Sequence, residues 1–321
     1  MTVLLLVAGM ALLIVGGILV VDGASNIARR HGISPAVIGL TLVAFGTSLP
    51  ELAVNLSALS NGSTALAMGN ILGSNIANMG LVLGAAVMIR SFDVESTIMR
   101  REIPLLLLVA GILLVIANDR ALKATGLMLD RSDALVLLLL LMIFIYINAT
   151  EIIRGEPDDV LLQQASQRTN LLFGKRDYLF IVVGVAGLWY GGQLTVDSAM
   201  SLALTLGVSE AVIGLAVVAV GTSLPELVTS ITAALRREGS LALGNVVGSN
   251  LINTLFILPV TAIVQPLPIM NASLLDIWAS TTFTAVVAIF AFSKNLRLSR
   301  WEGAVLLIGY LAYISWRYTA F

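Results

Sequence analysis

The sequence predicts an all-α, polytopic membrane protein of ten transmembrane helices in two inverted five-helix repeats. Three observations predict it. The 321-residue chain is 58% hydrophobic and 12% charged, with a mean hydropathy of +0.98, well outside the range of a soluble globular domain. Apolar runs long enough to cross a ~30 Å hydrocarbon core as helices recur from end to end, and the short alternating strands of a membrane barrel are absent. The phrase GTSLPEL occurs twice, at residues 46–52 and again at 221–227.

The first span, 2–27, lacks the basic flank of a signal peptide and exceeds its usual apolar length, so it reads as a membrane helix. Span 34–59 carries the first GTSLPEL, and 65–89 follows with GNILGSNIAN. Spans 102–118 and 132–150 complete a first half, residues 1–150. Residues 151–177 form the one sizeable polar connection and read as a solvated linker. The second half, 178–321, holds spans 178–205, 209–234 with the second GTSLPEL, 240–263 with GNVVGSNLIN, 273–292 and 300–318. Trp301, Trp316 and Tyr318 near the last span read as interfacial belt residues.

Lys and Arg collect on the cytoplasmic side of inner-membrane proteins. With loops assigned to alternate sides, fourteen of the 18 basic residues fall on one side. That places residues 151–177 in the cytoplasm and both termini outside the cell inner (plasma) membrane. The basic pair Arg29 and Arg30 precedes the first GTSLPEL, whereas Arg236 and Arg237 follow the second. Both pairs must be cytoplasmic, so the two copies cross in opposite directions. Inverted repeats with a site near the midplane are a recurring transporter architecture.

An offset of 175 residues relates Glu51 to Glu226, Ser74 to Ser249 and Asn78 to Asn253 without a gap. Paired GTSLPE segments, each followed by GNxxGSN, resemble the α-repeats of the sodium/calcium exchanger family within the cation/Ca2+ antiporter superfamily, and the chain is similar to its prokaryotic members. The repeats proper span about 32–78 and 207–253. The resemblance implies a secondary antiporter that exchanges Ca2+ for Na+ by alternating access. It also implies that the carbonyls of Ala44 and Ala219 line Na+ sites.

The residues themselves suit that chemistry. Pro50 and Gly46 interrupt the helix near mid-span, freeing backbone carbonyls. Thr47 and Ser48 precede Glu51 by four and three residues and share its helix face, as Thr222 and Ser223 do with Glu226. Ser74 with Asn78, and Ser249 with Asn253, share faces four residues apart. Together they offer the hard oxygen set that Ca2+ takes in ~6–8 coordination. A carboxylate at mid-membrane costs several kcal/mol and is functional by default. Gly69xxxGly73 and Gly244xxxGly248 read equally as packing seams or as shapers of the site.

Other features narrow the function. Without cysteine there is neither a disulfide nor a thiolate metal site, and the net charge of -1 argues against a nucleic-acid partner. No GxxxxGK[ST] phosphate loop occurs, so no ATP-driven pump is expected. One loop histidine, His31, leaves little for hydrolytic chemistry, and the chain reads as no enzyme, with no cofactor; its partners are Ca2+, Na+ and the lipid bilayer. Asp22 and Asp197, also 175 residues apart, read as interfacial capping groups. Well-known family members have aspartate where this chain has Asn253, which leaves a site charge of two carboxylates. A Ca2+/H+ antiporter is therefore the alternative, with a Ca2+-permeable channel ranked after it.

Overall fold

A computed structural model describes residues 2–118, 127–154, 173–206, 221–293 and 296–320. They form ten helical segments: α1 (Thr2–His31), α2 (Pro35–Ser60), α3 (Thr64–Ile89), α4 (Ile103–Ala117), α5 (Arg131–Arg154), α6 (Phe173–Thr205), α7 (Leu224–Leu235), α8 (Gly239–Val264), α9 (Asn271–Ser293) and α10 (Arg300–Ala320). Seven of these, all but α4, α7 and α10, are long and apolar enough to cross a membrane. Burial sorts centre from rim: 78% of the most apolar stretch of α3 and 83% of that of α8 is inside, against 28% for α1 and α6 and 22% for α5. Large apolar side chains such as Leu4, Val115, Tyr190 and Ile308 cover the outer surface, as hydrocarbon solvent permits.

The 175-residue offset is visible in the backbone. One-turn π segments interrupt α3 at Asn78–Val82 and α8 at Asn253–Ile257. Two short strand pairs pin the ends: β1 (Phe92–Asp93) pairs antiparallel with β4 (Arg297–Leu298), and β2 (Met128–Leu129) with β3 (Leu267–Pro268). β1 and β3 hold equivalent repeat positions. α1 and α6 pack antiparallel through glycines, since a Cβ on Gly9 would meet Thr195 and one on Gly23 the Asp177 carbonyl, within 2.8 Å.

The helices outrun the apolar spans read from the sequence. α5 continues to Arg154 and α6 begins at Phe173, because polar residues stay helical once beyond the bilayer. Asp177 is thus not part of a solvated connection. It is buried on α6 and accepts hydrogen bonds from Asn26 at 3.2 Å and Arg30 at 3.1 Å. Residues 155–172 of the expected linker lie outside the described residues. Asp22 does not cap its helix, which runs nine residues further; its carboxylate pairs with Arg236 at 3.4 Å.

Candidate cation-binding site

Both GTSLPEL segments bend at the serine. Ser48 has φ -88 and ψ 3, and Ser223 φ -86 and ψ 6, after which Leu-Pro opens a new helical segment with Pro in its first turn. Pro50 has no N–H to give, so the Gly46 carbonyl loses its helical donor. Glu51 and Glu226 then sit in the first turns of their segments, where the helix dipole favours negative charge. Both are fully buried.

Ser48 Oγ donates to Glu226 Oε1 at 3.2 Å. Shared helix faces predict that the Thr and Ser hydroxyls serve the carboxylate of their own motif, and the Ser48 hydroxyl does not. The bend at Ser48 turns it toward the other half. The equivalent contact from Ser223 to Glu51 is not made. Glu51 Oε1 and Oε2, Glu226 Oε2 and Ser223 Oγ have no hydrogen-bond partner among the described residues.

An amide lattice frames the carboxylates. Asn70 Nδ2 donates to Asn55 Oδ1 at 2.8 Å and its Oδ1 accepts from Thr222 Oγ1 at 3.2 Å. The repeat equivalents match: Asn245 Nδ2 donates to Ser230 Oγ at 3.0 Å and its Oδ1 accepts from Thr47 Oγ1 at 3.2 Å. Ser74 and Thr222 share a hydrogen bond at 3.1 Å. With their protons aimed at the lattice, the Thr47 and Thr222 oxygens keep lone pairs for another partner. Asn78 Nδ2 donates to Asn250 Oδ1 at 3.0 Å, while Asn78 Oδ1 and the whole Asn253 amide are buried and unpartnered among the described residues.

The structure therefore gathers Glu51, Glu226, Thr47, Ser48, Ser74, Asn78, Thr222, Ser223, Ser249 and Asn253 in the buried centre, none of them more than partly exposed. The Ala44 carbonyl accepts the Ser48 N–H at 3.0 Å, so it is engaged within its own helix. Ala219 lies outside the described residues. Asn70, Asn245, Asn75 and Asn250 were missed as site residues, although each stands in the quoted GNxxGSN motif. Among the described residues no group of three His, Cys, Asp or Glu could hold a metal. What remains is a buried, oxygen-lined centre with two carboxylates and, among the described residues, no basic side chain ion-paired to them. Its orphaned carboxylate, amide and hydroxyl oxygens fit a hard cation carried as substrate.

The profile described as Sodium/calcium exchanger protein matches residues 1–150 and 177–319. The chain belongs to the sodium/calcium exchanger family. It is 37% identical to CaxA of Alkalimonas amylolytica over 95% of each chain, and 32% identical to the sodium/calcium exchanger MaX1 of Methanosarcina acetivorans over 97% of each. Solved structures of the sodium-calcium exchanger NCX_Mj superpose closely on this family member. The form soaked with zero Na+ and Ca2+ gives a TM-score of 0.83 at 31% identity, covering 98% of each chain. The form soaked with 2.5 mM Na+ and 1 mM Sr2+ gives 0.84 at 32% identity, covering 98% of this chain and 97% of that one. Like its relatives, the protein is a multi-pass membrane protein.

Proposed function

We propose that the protein is a secondary antiporter that exchanges Ca2+ for Na+ by alternating access at the Glu51–Glu226 centre. One observation carries the reading: a fully buried Glu51 whose two carboxylate oxygens have no partner among the described residues. A buried, unpaired charge is costly enough that it recruits a counter-charge or a proton. Two such groups match one Ca2+ in charge. Two Na+ taking the same oxygens in the opposite half-cycle would enforce exchange by competition. Membership of the sodium/calcium exchanger family, and the name carried by MaX1, support Na+ as the countercation.

The ten-span, inverted arrangement is part of the same proposal. Antiparallel α1 and α6, the paired π segments and the reciprocal amide bonds at a 175-residue offset support it. The charge asymmetry of the loops supports termini outside the cell. A second reading, Ca2+/H+ exchange, is favoured by Asn253: with no third carboxylate, two protons balance the site as well as two Na+. Reconstituted protein decides between them. An inward Na+ gradient should drive 45Ca2+ movement at symmetric pH; if only a pH gradient does so in the absence of Na+, the proton reading replaces it.

A further inference from the structure

The two ends of the molecule differ although the repeat makes them equivalent. A cavity of about 450 Å³ runs from Asn61 and Ser63 past Gln193 and Asp197 to Thr222 and Pro225, the threshold of the cation site. Gly192, on its wall, has no atom within 4 Å of where a Cβ would lie, among the described residues. Subtracting or adding 175 gives the equivalent positions at the arginine-rich end, and these are shut. A Cβ on Gly17, the counterpart of Gly192, would stand 2.9 Å from Val228 and 3.2 Å from Thr232. Thr47, the counterpart of part-exposed Thr222, is buried, as is Thr229, the counterpart of Val54 on the cavity wall.

Ion pairs follow the same division. At the shut end Asp22 of α1 pairs with Arg236 after α7 at 3.4 Å, and Arg29 of α1 pairs with Glu238 before α8. At the open end the counterparts of these four residues are Asp197, Asn61, Leu204 and Ser63. Neither pair of charges is duplicated there. Asp197 is exposed at the cavity and Asn61 Nδ2 is spent on the Ser57 carbonyl of its own helix at 2.9 Å.

We infer that Asp22–Arg236 and Arg29–Glu238 are a latch that keeps the arginine-rich passage closed and biases the transporter toward the state open at Asp197. The inference rests on the alternating-access reading above. In the opposite state the equivalence exchanges: the two ion pairs part, a passage opens to Thr47, and Asp197 closes on Asn61. Because both pairs are partly exposed, each is a modest, salt-screened bias. That suits a latch, since a strongly bound gate would halt the cycle. With no counterpart pairs at the other end, the bias is one-sided.

The natural absence of cysteine gives the test. Ser57→Cys reports on the open cavity and Thr232→Cys on its shut equivalent. Each is placed in the full-length protein, purified into lipid nanodiscs so that a charged maleimide reaches both faces. Ser57→Cys should react much faster than Thr232→Cys. Arg236→Gln or Arg29→Gln should raise the Thr232→Cys rate about two- to fivefold, the scale of one partly exposed ion pair, and lower that of Ser57→Cys. The exchanged pair Asp22→Arg with Arg236→Asp should restore slow labelling, which separates the charge pair from mere disturbance of the helix end. High salt should mimic the single variants. An unchanged Thr232→Cys rate in both single variants, or a rise at both reporters together, overturns the latch. Equal rates at the two reporters before any charge is changed would likewise overturn the one-sided bias, whereas reporters that never change in opposite directions as Ca2+ or Na+ is varied would sink the alternating-access reading itself.

Discussion

At the scale of single residues, the centre is defined by what its atoms lack. Glu51→Gln and Glu226→Gln keep shape and remove charge, so each should abolish Ca2+ flux at matched membrane abundance; flux near the unmodified level in either would remove that carboxylate from the mechanism. The lattice makes a different prediction. Asn245→Ala removes the acceptor of Thr47 and the donor to Ser230, and a buried hydroxyl left unpaired costs about 1–3 kcal/mol. The expected result is a lower melting temperature in detergent together with weaker Ca2+ protection against melting, and an unaltered melting curve would show the lattice to be dispensable. The two glutamates were legible because an ionisable group inside an apolar run has few structural uses. Asn70 and Asn245 were not, because an amide in a membrane helix serves equally as interhelical glue. Only the meeting of each with a threonine from the other half gives it away.

At the scale of elements, apolar length marked the seven long helices among the described residues but not where each one bends. The break at Pro50 was legible, since a missing N–H is a property of the residue itself. The π segments at Asn78 and Asn253 were not; one extra residue per turn leaves no compositional trace. The GxxxG pattern after the second GTSLPEL was legible as small residues, and packing decides its use. A Cβ on Gly244 would stand 2.4 Å from the Ala36 carbonyl oxygen, and one on Gly248 the same distance from that of Leu40. Backbone atoms cannot swing aside as a side-chain end can. Gly244→Val should therefore destabilise the α2–α8 crossing by about 1–3 kcal/mol or more, read as a fall in melting temperature and in membrane abundance. Unchanged melting would mean that the two helices separate at no cost.

At the scale of the whole molecule, charge balance joins the site to the cycle. Glu51 and Glu226 are fully buried carboxylates at equivalent repeat positions, and Asn78 and Asn253, buried in the helices that follow, are neutral amides. Net charge crossing a low-dielectric interior is penalised, so the favoured loads are those that cancel two negative charges: one Ca2+, two Na+ or two protons. Exchange of Ca2+ for two monovalent cations then moves no net charge. In proteoliposomes, Na+-driven 45Ca2+ uptake should be indifferent to a K+ diffusion potential imposed with valinomycin. Asn253→Asp adds a third acid beside the pair, so the Ca2+-loaded centre becomes negative and a third Na+ is needed to neutralise the other half-cycle. Uptake by that variant should acquire a dependence on membrane potential, of the sign that three positive charges exchanged for two demands. Strong voltage dependence before the substitution would mean that a further charge travels with the ions, and an Asn253→Asp variant as indifferent to potential as its parent would show that this amide does not face them.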